Sequence, residues 1–204
     1  MLAVVAASVI GYLLGSLPTA RWVAGRSGVN PLLAGERNPG ATNVWRLLGP
    51  RAGLLVLAAD IGKGAAAALI GIVLGGWWTA CAGVILAMAG HAWPVWSRFR
   101  GGRSVACLVG GALVLDPQAF AVALLLFLVF IRLLGLWRAA AVGMLSYPLL
   151  FGLLVAERWR LIGIGAAYLV LVAAWTFSAR RRVAEACRLT APRPRAPTYP
   201  FPKR

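Results

Sequence analysis

Long apolar segments separated by short polar segments run through almost the whole chain. The apolar segments cover about residues 2–24, 53–76, 77–96, 105–115, 118–134, 139–156 and 161–177. A predominantly apolar segment of about 20 residues is long enough to cross a bilayer as a helix. The pattern therefore predicts an all-α integral membrane protein. Pro18 is expected to kink or end the first helix near Arg21.

The fourth apolar segment, Val105–Leu115, is unusually short. It gives about 16 Å of helix and stops at Asp116-Pro117. The segments 105–115 and 118–134 are therefore compatible either with two short spans or with one long span. If there are two, the short helix has to be shielded from lipid by its neighbours.

Basic residues distinguish these two topologies. With seven spans, 18 of the 21 basic residues lie on one side of the membrane, and only Arg158 and Arg160 lie on the other. With one merged span, each side carries ten. Cytoplasmic loops are enriched in Lys and Arg. We therefore predict a bundle of seven transmembrane helices with the N-terminus outside and the C-terminus in the cytoplasm.

Composition agrees with a membrane protein and limits its partners. Apolar residues make up 61% of the 204 residues and charged residues 13%, whereas a soluble domain is nearer half apolar. The net charge of +16 does not indicate nucleic-acid binding, because the arginines lie between the apolar segments. We predict one membrane domain at 1–178 and a basic, Pro/Arg-rich cytoplasmic tail at 179–204, disordered and drawn to anionic lipid.

The longest polar stretch, residues 35–46, lies between the first two apolar segments. It contains Asn38, Asn43 and Arg46, and its Pro39-Gly40 pair is typical of a turn. The stretch is predicted to be a structured loop rather than a helix, at the cytoplasmic interface. It suits chemistry on an anion, but an ordinary solvated loop with topology-setting arginines is the alternative.

Three ionisable residues lie inside predicted spans. Asp60 and Lys63 are three residues apart, so they share a helix face and can form an ion pair. His91 lies in the third segment, shortly before Pro94. Ionisable groups within a membrane usually serve a function. The alternatives are an ion pair that fixes packing and a histidine that only makes a packing hydrogen bond.

A Gly-Gly-Arg loop comes directly before the short fourth helix. Gly101 and Gly102 are followed by Arg103 and Ser104. Backbone N–H groups exposed by glycine, at a helix N-terminus and beside arginine, make an anion-binding site. Arginines that only set the topology would give the same pattern.

Other kinds of site find little support in the sequence. The three cysteines are scattered and there is one histidine, which argues against a disulfide framework or a zinc site. No Ser-His-Asp arrangement is visible, so chemistry would rest on positioning and electrostatic stabilisation. A small-anion transporter remains an alternative, but it would need a polar path through the membrane, and no internal repeat supports one.

Five motifs resemble a known family in both order and spacing. They are Gly15-Ser-Leu-Pro-Thr19, Asn38-Pro-Gly-Ala-Thr-Asn-Val-Trp-Arg46, Asp60-Ile-Gly-Lys-Gly64, Gly90-His-Ala-Trp-Pro-Val95 and Arg98-Phe-Arg-Gly-Gly102. Together they resemble the PlsY family, the bacterial acyl-phosphate:glycerol-3-phosphate acyltransferases. The resemblance covers about residues 11–111.

The resemblance implies a multi-pass enzyme of the bacterial plasma membrane with its site on the cytoplasmic side. Such an enzyme moves a fatty acyl group from acyl phosphate to the 1-hydroxyl of glycerol 3-phosphate, giving lysophosphatidic acid and phosphate. No cofactor or metal is implied. The implied catalytic residues are Arg46, Arg103 and His91, and the implied substrate-binding residues are Asn38, Gly40, Thr42, Asn43, Lys63, Gly101, Gly102 and Ser104.

The chain departs from the family pattern at several positions. Glu36 and Arg37 replace Ser and Gly, and Arg103-Ser104 replaces Lys-Gly. Residues 140–143 lack the later Ser-x-x-Ser, and residues 178–182 lack the His-x-x-Asn. A carboxylate at Glu36 should repel an anionic substrate unless Arg37 or Arg103 neutralises it. A degenerate, non-catalytic member that binds lipid or a membrane partner is therefore the main alternative.

Overall fold

The computed structural model describes residues 1–118 and the single positions 120, 121, 124, 125, 128, 129, 170 and 174. All regular secondary structure in this part of the chain is helical. The helices are α1 (Leu2–Ser16), α2 (Thr19–Gly25), α3 (Ala41–Leu48), α4 (Pro50–Gly75), α5 (Trp77–Ala92) and α6 (Val105–Leu115), with a 3₁₀ turn at Val95–Ser97.

Three helical stretches have the length and apolar composition of membrane spans. They are Leu2–Gly25, Pro50–Gly75 and Trp77–Ser97, which confirms the first three predicted spans. The short helix α6 ends before Asp116, whose backbone is not helical (φ −154°, ψ 85°). The predicted segments 139–156 and 161–177, most of 118–134 and the tail 179–204 lie outside the described residues.

The helix of the first span is interrupted at Pro18, as the sequence predicts. Helix α1 ends at Ser16, and α2 begins at Thr19, directly after Pro18. Proline has no N–H group to donate to the helix, and its ring clashes with the preceding turn. At the interruption the carbonyl of Leu17 accepts from the Thr19 N–H at 3.0 Å, and this carbonyl becomes part of the site described below.

The prediction that residues 35–46 form a loop is wrong for the second half of this stretch, because helix α3 begins at Ala41. The Pro39-Gly40 turn ends the loop and starts the helix. Gly40 has an extended backbone (φ −120°, ψ 164°), which is typical of the residue that precedes a helix. Val44 on α3 is fully buried with Ala20 and Val56, so packing against α2 and α4 stabilises the helix.

Glycines bring α1 and α5 into contact through their main chains. A Cβ atom at Gly11 would overlap the carbonyl of Gly83, and one at Gly15 would overlap the carbonyl of Ala87. A Cβ atom at Gly90 on α5 would likewise overlap the carbonyl of Tyr12. Small residues allow this close approach, which is the usual basis of helix packing in membranes.

The short helix α6 packs in the same way against α4. A Cβ atom at Gly64 would overlap the carbonyl of Cys107, and one at Gly110 would overlap that of Ile61. Cys107 and Leu108 are buried in a core shared with Val84 and Met88 of α5. Helix α6 is therefore shielded by α4 and α5, as its length requires.

A pair of glycines on α4 tests this packing. Gly64→Ala is expected to destabilise the protein by about 1–3 kcal/mol, because the added methyl group forces two main chains apart. Gly62 is exposed and has open space where its Cβ would lie. Gly62→Ala should therefore leave stability unchanged or raise it by about 0.5–1 kcal/mol.

The measurement is the thermal unfolding midpoint of both variants in the same detergent. Equal midpoints for Gly64→Ala and Gly62→Ala would contradict the proposed contact.

Candidate functional site

A buried ion pair between Asp60 and Lys63 lies beneath the site. Lys63 Nζ lies 2.7 Å from Asp60 Oδ1, and the two side chains are 5% and 2% exposed. This confirms the pairing predicted from their spacing. The hydroxyl of Thr19 donates to the same Asp60 oxygen at 2.7 Å. The pair therefore ties α4 to the first turn of α2.

All three protons of the Lys63 ammonium group have acceptors within the protein. Besides Asp60, Nζ donates to the carbonyl of Leu17 at 2.7 Å and to Thr19 Oγ1 at 3.0 Å. An ammonium group has three donors, so its hydrogen bonding is complete. Lys63 is thus a second donor to the Leu17 carbonyl at the Pro18 break, which also accepts from the Thr19 N–H at 3.0 Å.

His91 connects the ion pair to the Gly-Gly-Arg loop. Its Nδ1 atom lies 3.8 Å from Asp60 Oδ1, and its main-chain carbonyl accepts a hydrogen bond from the Gly102 N–H at 3.0 Å. A Cβ atom at Gly102 would lie 2.5 Å from His91 Nε2. Glycine is therefore required at position 102, because the loop packs directly against the imidazole ring of His91.

The Gly-Gly-Arg loop is held by internal contacts. Arg98, Phe99 and Ser104 all adopt positive φ angles, of 51°, 58° and 63°. The buried hydroxyl of Ser104 donates to the carbonyl of Met88 at 2.6 Å. The Gly102 amide and the Ser104 hydroxyl, both predicted to bind an anion, thus have partners inside the protein.

Asn43 organises the loop that precedes α3. Its side chain is fully buried, and its Nδ2 atom donates to the carbonyls of Pro31, Ala34 and Asn38 at 2.9–3.1 Å. Its Oδ1 atom accepts from the backbone N–H of Glu36 at 2.9 Å. Asn43 therefore fixes the path of residues 31–38 and contacts the site through them.

Asn38 has a buried side-chain oxygen with no hydrogen-bond partner among the described residues. This Oδ1 atom lies 3.6 Å from the position of a Cβ on Gly102, so it faces the Gly-Gly-Arg loop. Gly40 precedes α3, and Thr42 lies half-buried in its first turn. A buried carbonyl oxygen without a donor is unfavourable, so this position suits a ligand hydroxyl or amide.

Glu36 forms ion pairs with two predicted site arginines. Its Oε1 atom contacts Arg46, and its Oε2 atom lies 3.7 Å from Arg103. The neutralisation expected from Arg103 is therefore present, whereas the pairing with Arg46 was not predicted from the sequence. The side chains of Arg46 and Arg103 are 56% and 32% exposed, so solutes can reach both.

A cleft of about 270 Å³, part of it open to solvent, lies where these elements meet. Among the predicted site residues, Lys63, His91, Gly101 and Gly102 line it. Asn38, Asn43, Arg46 and the other predicted residues lie outside its lining. The lining residues that sequence reasoning did not place in the site include Thr19, Arg21, Ser97 and Arg100.

The missed residues had weak sequence signals. Arg21 marks the basic end of the first segment, and Thr19 and Arg100 appear only as parts of family motifs. In the structure, Arg21 donates to Ser97 Oγ at 3.2 Å and links α2 to the 3₁₀ turn. This contact depends on how α1 packs against α5, which local spacing does not reveal.

The fold and the cleft define a class: a helical protein with membrane-spanning helices and a cationic, glycine-rich cleft at their ends. Comparison with known proteins identifies the family. The sequence model of the glycerol-3-phosphate acyltransferase family matches residues 5–185. The chain belongs to this family.

Individual relatives agree with this assignment. The chain is 40% identical to a glycerol-3-phosphate acyltransferase of Exiguobacterium sibiricum over 65% of each chain. It is 44% identical to one of Symbiobacterium thermophilum over 58% of this chain and 60% of that one. The alignments thus span slightly less than two thirds of the length of both relatives.

The fold is also similar to that of PlsY (YgiH), an integral membrane glycerol 3-phosphate acyltransferase. Its crystal structure in the glycerol 3-phosphate form matches with a TM-score of 0.75 and 28% identity, over 90% of this chain and 92% of that chain. The lysophosphatidic acid form matches with a TM-score of 0.72 over 92% of both chains.

The Asp60–Lys63 pair gives a stability prediction. Lys63→Met is expected to destabilise the protein by about 3–5 kcal/mol, because the variant leaves Asp60 as a buried carboxylate without its cation. The double variant Asp60→Asn/Lys63→Met removes both charges and should recover a large part of that loss. Thermal unfolding in detergent measures both, and a double variant less stable than Lys63→Met would contradict the pairing argument.

Proposed function

We propose that the protein catalyses transfer of a fatty acyl group from acyl phosphate to the 1-hydroxyl of glycerol 3-phosphate. The products are lysophosphatidic acid and phosphate, so the reaction belongs to phospholipid biosynthesis. Family membership supports the acceptor. The observation that carries the proposal is the cationic cleft at the helix ends, lined by Arg21 and Arg100, with Arg46 and Arg103 beside it.

The arginines are proposed to bind the phosphate groups. Arg46 and Arg103 are exposed enough to reach a solute, and a guanidinium group can donate two parallel hydrogen bonds to a phosphate. The N-terminus of α3, with Gly40 and Thr42, adds backbone N–H groups that have no partner within the helix. Two anions can therefore be held close together despite their mutual repulsion.

Asn38 is proposed to orient the acceptor. Its buried Oδ1 atom lacks a hydrogen-bond donor among the described residues and faces Gly102, so a glycerol hydroxyl could donate to it. Gly101 and Gly102 pack closely against His91, and we assign them to shaping the cleft that they line. We assign Asn43, Ser104 and Lys63 to positioning, because their polar groups already have partners in the fold.

The reaction needs no covalent intermediate on the protein. The hydroxyl oxygen of glycerol 3-phosphate attacks the acyl carbonyl carbon, and the bond from that carbon to the phosphate oxygen breaks. The hydroxyl proton leaves with the phosphate as hydrogen phosphate. Acyl phosphate is already activated, so holding both substrates together and stabilising the departing phosphate are the main tasks of the site.

The proposed setting is the plasma membrane of a bacterium. The excess of basic residues on one side supports seven spans, an external N-terminus and a cytoplasmic C-terminus. The cleft would then face the cytoplasm, where glycerol 3-phosphate is soluble, while the acyl chain stays in the bilayer. The basic tail at 179–204 would lie against anionic lipid.

The direct test is acyl transfer by the purified protein in lipid, from palmitoyl phosphate to labelled glycerol 3-phosphate, without CoA or added metal. We expect lysophosphatidic acid at many turnovers per protein. No product from folded protein would contradict the proposal and favour a non-catalytic family member that binds lipid or a membrane partner.

Arg46 provides the corresponding variant. Arg46→Ala is expected to lower kcat/KM about a hundredfold or more, because it removes a charged contact to a substrate phosphate. Arg51→Ala removes an equal charge from an exposed position at the start of α4 and should have little effect. Equal rates for the two variants would remove Arg46 from the site.

A further inference from the structure

The contacts of Glu36 suggest a role for a residue that departs from the family pattern. Its carboxylate bridges Arg46 on α3 and Arg103 before α6, with one oxygen directed at each. Two arginines facing one anion from two sides form the arrangement that a phosphate group would require. In this structure the protein supplies the anion itself.

The fold fixes the backbone from which the Glu36 side chain extends. The backbone N–H of Glu36 donates to the buried Oδ1 of Asn43 at 2.9 Å. Its neighbours Gly35 and Arg37 both adopt left-handed backbone angles, with φ of 59° and 53°. A Cβ at Gly35 would overlap the side chain of Asn43, so this turn has little freedom. The loop therefore fixes the point from which the Glu36 side chain reaches both arginines.

We propose that Glu36 is an internal competitor that occupies the arginine pair until a phosphate group displaces it. This inference rests on the proposed function only in taking Arg46 and Arg103 as the phosphate site. Glu36 would be a specificity-determining residue, since a carboxylate carries one negative charge and a phosphate monoester carries close to two at neutral pH. The ligand with the larger charge gains more from both arginines, so displacement favours phosphate over singly charged anions.

The geometry makes displacement feasible. Glu36 Oε2 is buried and accepts no hydrogen bond among the described residues, and its distance to Arg103 is 3.7 Å. Arg46 is more than half exposed. Ion pairs with this degree of exposure are weak. The carboxylate thus keeps the arginines together without excluding a stronger ligand.

The experiment measures binding of inorganic phosphate to the full-length protein in lipid nanodiscs by titration calorimetry. Glu36→Gln keeps the size of the side chain and removes its charge. We expect this variant to bind phosphate about three- to tenfold more tightly, because no carboxylate has to be displaced. With turnover present, KM for glycerol 3-phosphate should fall by a similar factor, while kcat should change less.

A double variant separates the local contact from the total charge. Arg26 is exposed at the end of α2 and does not line the cleft. Glu36→Gln/Arg26→Gln keeps the net charge of the natural chain and should bind phosphate as tightly as Glu36→Gln. If Glu36→Gln does not fold, Glu36→Ser provides the same test.

Unchanged or weaker phosphate binding in the folded Glu36 variant would overturn the inference and show that the carboxylate helps to arrange the arginines. A return to the affinity of the natural chain in the double variant would also overturn it. Phosphate binding does not require turnover. If the protein is inactive but its phosphate affinity rises in Glu36→Gln, the result would contradict the proposed reaction and support the role of Glu36 as a competitor of phosphate.

Discussion

The arrangement of helices around the cleft depends on one buried ammonium group. Lys63 donates to the carbonyl of Leu17 at the interruption of the first span, donates to Thr19 Oγ1 and neutralises Asp60. A lone charge in this position would be strongly unfavourable. Because every proton of the group has an acceptor, the break between α1 and α2 becomes a defined bend that brings Thr19 and Arg21 to the cleft.

Features that depend on local sequence could be predicted, and features that depend on distant packing could not. The helix break at Pro18, the bounds of α6 and the Asp60–Lys63 pair follow from spacing and from single residue types. The turn at Pro39-Gly40 was recognised, but it starts a helix, and the burial of Val44 that stabilises α3 depends on α2 and α4. The contact of Arg21 with Ser97 joins residues 76 positions apart, which no local pattern indicates.

In the site, the sequence likewise identifies which residues take part but not what each polar group contacts. Family motifs identified residues that the structure places in or around one cleft, but their individual tasks differ. Asn43 and Ser104 use their polar groups to hold the loops, whereas Asn38 presents an oxygen that has no donor in the part of the chain that the structure describes. The pairing of Glu36 with Arg46 depends on a turn with two left-handed residues, so the charge pattern alone did not reveal it.

The glycine contacts also restrict the path of a hydrocarbon chain. Where α1 meets α5 and α4 meets α6, main chains touch at Gly15 and Gly64, which leaves no room for a methylene chain between them. An acyl chain whose head group is held at the cleft cannot run along either of these two boundaries. For the proposed reaction, such a chain has to reach the bilayer elsewhere, so the glycines that assemble the bundle would also limit where a fatty substrate enters.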